Sequence, residues 1–191
     1  MKEAMNLSLR LALICAVAAL ALSQVASFTA EPIAAAEYAA KMEAVIAVLP
    51  AHDNDPGVDA VDLDARTYYP AMKDGAVEGW AFRGVTELGY SGEIEVMIGV
   101  DAAGAIEGMR ILRHAETPGL GSNYADPAML ADFFGGKSYG ATDWRMSKDG
   151  GDIDAVTGAT VTGRALADAV QSALKQFAED LPRLKVGKVD A

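Results

Sequence analysis

The spacing of apolar and polar residues changes character several times along the chain. Residues 7–28 are apolar apart from Arg10 and a few small polar side chains. As a helix, about 22 residues span ~33 Å, enough to cross the hydrocarbon core of a bilayer. Met42, Val45, Ile46 and Leu49 then recur at helical spacing, which predicts a helix over 37–49 that ends at Pro50. Residues 51–64 hold His52, Pro56 and five aspartates and read as a surface loop. From Ala76 the period shortens to two. Segments 76–83 and 85–88, separated by Gly84, are short strand candidates. The clearest strand is 92–100, where Ile94, Val96, Ile98 and Val100 alternate with other residues.

Asp101-Ala102-Ala103-Gly104 is a hairpin turn, and 105–112 returns as the partner strand. The pattern predicts an antiparallel sheet with one buried face. Residues 126–134 read as a short helix with Met129, Leu130, Phe133 and Phe134 to one side, and 137–151 as irregular chain around Trp144. Over 161–179, Leu166, Val170, Ala173, Leu174 and Phe177 share one helical face. Arg164, Asp168, Gln171, Lys175 and Glu179 share the other, as on a helix packed against a sheet, and Pro182 is expected to end it. The fold class is α+β.

Composition narrows the functions open to such a chain. A hydrophobic content of 51% with 19 glycines in 191 residues belongs to a folded protein. The net charge of −11 disfavours a nucleic-acid partner, which would need clustered lysine and arginine. The single cysteine, Cys15, lies inside the apolar segment, so no disulfide or cysteine-ligated cluster forms within the chain. The aspartates of 51–64 lack calcium-loop spacing, His114 has no metal-binding partner except the distant His52, and no metal site is expected.

The first apolar segment supports two readings. Lys2 and Arg10 lie on its N-terminal side and Glu31 and Glu37 follow it, so a retained anchor would leave the N-terminus in the cytoplasm. A cleavable export signal also fits, with a core over 11–22 and small residues over 21–27. Either way the rest of the chain is exported.

Two short stretches could carry chemistry. The first, Asp154-Ala155-Val156-Thr157-Gly158-Ala159-Thr160-Val161-Thr162, runs straight into the last predicted helix. The opening N–H groups of a helix lack internal acceptors, and its dipole favours an anion there. Gly158 and Ala159 leave the backbone open, and Thr160 offers a hydroxyl beside those donors. A threonine here can equally cap the helix through its oxygen. No lysine follows the glycines as in a nucleotide-binding P-loop. The second stretch is His114-Ala115-Glu116-Thr117-Pro118-Gly119-Leu120-Gly121, a rigid turn whose glycines permit close backbone approach to a planar group. No Ser–His–Asp or Cys–His arrangement is present.

Together, Glu116-Thr117-Pro118-Gly119-Leu120-Gly121 and Thr157-Gly158-Ala159-Thr160 resemble the FMN-binding domain of the G subunit of the Rnf electron-transport complex. The similar C subunit of sodium-translocating NADH:quinone reductase shares both motifs but is generally longer. The resemblance covers about residues 85–177 and adds one N-terminal anchor helix, which tips the first segment toward retention. It implies covalent FMN, esterified through its phosphate to Thr160. Asp154, Thr157, Gly158 and Ala159 would form the signature read by a flavin transferase, and Glu116, Thr117, Pro118, Gly119, Leu120 and Gly121 would form the loop near the flavin; Thr162 is a further candidate cofactor-binding residue.

The expected fold is a curved antiparallel sheet packed by helices, with one N-terminal transmembrane helix. The expected order is a cytoplasmic start (1–6), an anchor (7–28), a helix and loop segment (29–75), a periplasmic FMN-binding domain (76–181) and a tail (182–191). The implied activity is electron carriage at the inner membrane, within a complex coupling ferredoxin/NAD electron transfer to ion translocation. Implied partners are the other membrane subunits, the flavin transferase during maturation, and membrane lipid, with no nucleic acid. A C-type subunit of sodium-translocating NADH:quinone reductase, a secreted stand-alone flavoprotein reductase and an anchor subunit whose Thr160 is never modified are the rival readings.

Overall fold

The computed structural model describes residues 2–186 and divides into two compact units, Met1–Lys41 and Met42–Ala191. Helix α1, Lys2–Val48, supplies the described part of the first unit and the start of the second. Among the described residues it is the one helix long and apolar enough to cross a membrane, with a window mean hydropathy of 2.2 within Met5–Val48. Its 47 residues far exceed the ~20 that a span requires. The sequence predicts two helices with a break between them, whereas the structure has one helix through Pro32. Proline costs an interior helix ~3 kcal/mol. Here Ala30, Ala34, Ala35, Ala36, Ala39 and Ala40 surround it with the strongest helix former.

The second unit is built on a five-stranded antiparallel meander, β1 (Val61–Leu63), β2 (Arg66–Lys73), β3 (Ala76–Gly89), β4 (Gly92–Asp101) and β5 (Ile106–Arg113), in that spatial order. The structure is therefore α+β, as expected. Register shifts at Ala71/Met72, Thr86/Gly89, Glu95/Val96 and Gly99/Val100 bend and twist the sheet. β1 and β2 lie where the sequence predicts only helix and loop, and β3 is one long strand, not two. β2 contains Pro70, which lies past the short pairing of β1, where a missing N–H breaks no ladder bond. The Asp-rich segment instead finishes that edge. Met72 N–H donates to Asn54 Oδ1 (2.8 Å), Asn54 Nδ2 donates to Pro70 O (3.1 Å), and Asp53 N–H donates to Met72 O (2.8 Å).

Strand alternation sorts the core into two clusters. Tyr68, Phe82, Ile94, Val96, Ile98 and Val100 belong to the larger one, with Leu166, Val170, Leu174 and Phe177. The latter four come from α3 (Thr160–Val186). Tyr69, Ala71, Ala81 and Met97 join Val45, Val48 and Leu49 in the smaller. The expectation of a single buried face thus fails. Met97 and Ala81 are fully buried because the end of α1 within this unit covers the second face. Gly99 and Gly108 pair across β4 and β5 and admit the Val48 backbone, which a Cβ at either position would meet.

The hairpin turn after β4 forms as predicted, with Asp101 Oδ1 accepting from Ala103 N–H and Ala105 N–H, both at 2.9 Å. Helix α2, Pro127–Phe134, starts at an Asp126 N-cap that accepts from Ala128 N–H. The last helix, α3, does not end at Pro182 but runs to Val186. Leu184 is buried in the main core, so packing holds the last turn where local propensity alone would end it.

Candidate functional site

The mouth of α3 is shaped by its backbone first. Gly158 has φ +84°, a left-handed conformation that costs most residues but not glycine. Ala159 N–H donates to Val156 O (3.0 Å), and Gly163 N–H donates to Ala159 O (3.0 Å) as the first helical bond. The amides of Thr160, Val161 and Thr162 therefore open the helix without partners from a preceding turn. Three nearby threonines end in different surroundings. Thr157 is exposed, Thr160 is half-buried, and Thr162 is 2% exposed. Thr162 is already committed, because its hydroxyl donates to Glu116 Oε2 at 2.6 Å.

Glu116 is the polar hub of the second stretch. It is 5% exposed, and its Oε1 accepts from Ser91 N–H at 3.0 Å. Its own amide donates to His114 Nδ1 (3.1 Å), which gives that histidine a structural role. One carboxylate thus ties the β3–β4 hairpin, the loop after β5 and α3 together. The loop closes on itself by Leu120 N–H and Ser122 N–H to Thr117 O, both at 3.2 Å, and by Gly119 N–H to Ser122 Oγ at 3.0 Å. At Gly121 a Cβ would press on Glu116 and on Thr162 Oγ1, so only glycine lets the loop lie this close to the helix.

A cleft of about 390 Å³ opens where the two stretches meet. Glu116, Thr117, Leu120 and Gly121 form one wall, and Gly158, Ala159, Thr160, Val161 and Thr162 the other. These are segments separated by almost forty residues in sequence, joined by the fold. Pro118, Gly119, Asp154 and Thr157 are exposed and lie outside the lining. The volume falls within the ~300–1,000 Å³ usual for small-molecule sites.

Two residues join the site without any signal in the motifs. Tyr90, in the turn between β3 and β4, completes the lining. Lys148 places Nζ 3.4 Å from Thr160 Oγ1. The neighbouring arginines are occupied, Arg145 with Asp143 (2.5 Å) and Arg164 with Asp149 (2.7 Å). The Arg164 guanidinium beside Asp149 holds its carboxyl below the usual carboxylate range. Lys148 makes no ion pair within 4 Å among the described residues; its charge is felt by Asp149, and its ammonium also reaches the Thr160 hydroxyl. An aromatic in a hairpin turn was the only hint of Tyr90. Lys148 sits in irregular chain and had none.

This donor set suits a phosphorylated planar ligand. Free helix-start amides and an ammonium meet at a hydroxyl, while Leu120, Val161 and Tyr90 offer apolar surface beside them.

Comparison with known proteins gives the same direction. The sequence profile of the FMN-binding domain family matches residues 89–175, from the β3–β4 hairpin into α3. The chain is 37% identical over 180 residues to the G subunit of the ion-translocating oxidoreductase complex of Cereibacter sphaeroides, covering 88% of this chain and 82% of the relative. It is 36% identical over 181 residues to the protein of that name from Stutzerimonas stutzeri, covering 88% and 78%. The Pseudomonas aeruginosa protein is 36% identical over 175 residues, covering 84% and 82%.

Proposed function

Because this chain belongs to the family of G subunits of ion-translocating oxidoreductase complexes, we propose that it is an electron carrier with FMN joined by a phosphoester to Thr160. Its place is in a membrane complex that couples electron transfer between ferredoxin and NAD to ion movement. It acts as one relay of an oxidoreductase, not as a self-sufficient catalyst. α1 anchors it by a single pass in the inner membrane, with the second unit on the periplasmic side, in keeping with Lys2 and Arg10 ahead of the apolar core. Its partners are the other membrane subunits, the surrounding lipid and, during maturation, a flavin transferase that recognises Asp154 and 157–160.

One observation carries the assignment to Thr160. Of the three hydroxyls at the helix mouth, it alone lines the cleft while remaining uncommitted to another side-chain acceptor. Thr157 is exposed outside the lining, and Thr162 is spent on Glu116. Bound FMN supplies the electron-transfer chemistry, and the protein supplies position and electrostatics. The opening amides of α3 and Lys148 stabilise the phosphate negative charge. Gly158 keeps the approach to the backbone clear. Glu116, held at both oxygens, fixes the loop against the helix so that the cleft keeps its shape. A tether suits a carrier that passes electrons repeatedly in a compartment where lost cofactor is not replaced.

The test is a threonine series on the full chain expressed with its transferase. Thr160→Ala should insert in the membrane and lack covalent flavin by in-gel fluorescence and intact mass, while Thr162→Ala keeps it. Peptide mass spectrometry that places FMN on another residue, or on none in an active complex, overturns the proposal.

A further inference from the structure

Tyr90 is an aromatic side chain without a task in the fold. It is 72% exposed, whereas Tyr68, Tyr69 and Tyr124 are buried. Nor does the turn demand it. Gly89 pairs with Gly92 across the β3–β4 hairpin, and the positive φ falls on Gly92 (+110°), not on Tyr90 or Ser91. Any ordinary residue would satisfy that backbone.

The hairpin tip, however, is held in place. Ser91 N–H donates to the buried Glu116 carboxylate at 3.0 Å. A Cβ on Gly89 would come within 2.8 Å of Glu116 Oε1 and 2.9 Å of Ile94 Cδ1, so the turn lies hard against the base of the cleft. Tyr90 is thus presented at the cleft rim by a rigid mount while its ring stays free. Leu120 and Val161, 43% and 49% exposed, line the same cleft. Three exposed side chains with apolar surface line the cavity that Thr160 also lines, and Lys148 Nζ stands 3.4 Å from the Thr160 hydroxyl.

We propose that Tyr90 is the ring-contacting residue of the cleft, on which the planar ring system of the tethered flavin rests in an offset stack. The inference rests on the flavin reading of the site and adds which way the ligand lies in it, with phosphate toward Lys148 and ring toward the β3–β4 hairpin. Aromatic pairs at ~4.5–7 Å between centroids gain contact energy beyond the area they bury. Contact would cover one ring face from water and convert the exposed tyrosine into a packed one. It also has an optical signature. A phenol in van der Waals contact gives an electron to the photoexcited ring and takes it back, so fluorescence is quenched with no net reaction. Phenylalanine stacks equally well but does not donate, whereas tryptophan does.

The experiment uses the full chain with its covalent flavin, and reads flavin emission in the native protein relative to the same sample denatured in detergent. Attached flavin is counted by mass. The wild-type protein should be strongly quenched when native. Tyr90→Phe and Tyr90→Ala should gain emission several-fold per flavin, and Tyr90→Trp should stay dark. Emission is compared per attached flavin, so a change in loading does not enter the readout. Native emission unchanged in the Phe and Ala variants overturns the proposal while leaving the attachment reading intact. A wild-type chain that carries no flavin at all overturns both.

Discussion

The two ends of α3 each abut one nearly buried carboxylate, yet the two groups are treated in opposite ways. At the far end, Asp180 is 6% exposed and accepts from Tyr68 Oη at 2.7 Å and Arg66 Nη1 at 2.6 Å. Arg183 approaches at 3.8 Å and also pairs with Asp64 at 2.9 Å. At the mouth, Glu116 has only neutral partners among the described residues, the Thr162 hydroxyl and the Ser91 amide. The first cluster balances its charge within the protein, joins β2 to the helix and leaves nothing for a ligand. The second spends its carboxylate on holding the loop to the helix and leaves free amides, with an exposed lysine nearby, at an open cleft. The two ends of one helix thus differ in how far the protein itself compensates their polar groups.

The sharpest way to break that contrast is at the compensated end. Asp180→Ala strands the Tyr68 hydroxyl in the core and removes the partner of Arg66. We expect a loss of about 3 kcal/mol in denaturant unfolding of the chain, less than for a wholly buried pair because Arg66 remains partly solvated. Flavin attachment should survive, and its loss would show that the two ends are not separable. The same carboxylate gives a pH signature. Burial pushes the Asp180 carboxyl up, but the hydrogen bonds from Tyr68 and Arg66 and the charge of Arg66 hold it below its ordinary value. The folded state therefore binds this proton less readily than the unfolded chain, so the stabilisation is complete above the usual carboxylate range and fades as pH falls below about 4. Asp180→Asn should flatten that part of the acid decline in melting temperature.

A smaller effect is expected at the mouth. Thr162→Val leaves one Glu116 oxygen without its donor and should cost about 1–2 kcal/mol, while the flavin remains on Thr160. A matching drop in flavin content would mean that the Glu116–Thr162 bond sets the cleft and not merely its stability. Smallest in stability is Lys148→Ala, at an exposed side chain, where the melting temperature should not move. Its effect should appear only as slower flavin loading, with the deficit growing in Lys148→Glu. Equal loading in all three proteins would remove Lys148 from the site.

Much of the mouth of α3 was legible from residue order because its determinants are local. A glycine at positive φ, a run of small residues before an amphipathic helix and an alternating strand are all written within a few positions, and β4, the Asp101 turn, α2 and the buried face of α3 follow from them. Other features depend on partners distant in sequence. α1 passes Pro32 and α3 passes Pro182 although each proline argues locally for a break, and the buried Leu184 supplies the packing that carries the second. β2 contains Pro70 and is completed by Asn54, which read only as loop. The second face of the sheet is buried because Gly99 and Gly108 admit the Val48 backbone. Tyr90 reaches Thr160's cleft through the pairing of β3 with β4, and Lys148 reaches the Thr160 hydroxyl through the fold of the irregular chain before α3. Periodicity and backbone preference act over a turn or a strand and so are recorded in sequence. Closeness between segments far apart in the chain is settled by packing and by pairing of buried polar groups, and only the tertiary structure decides it.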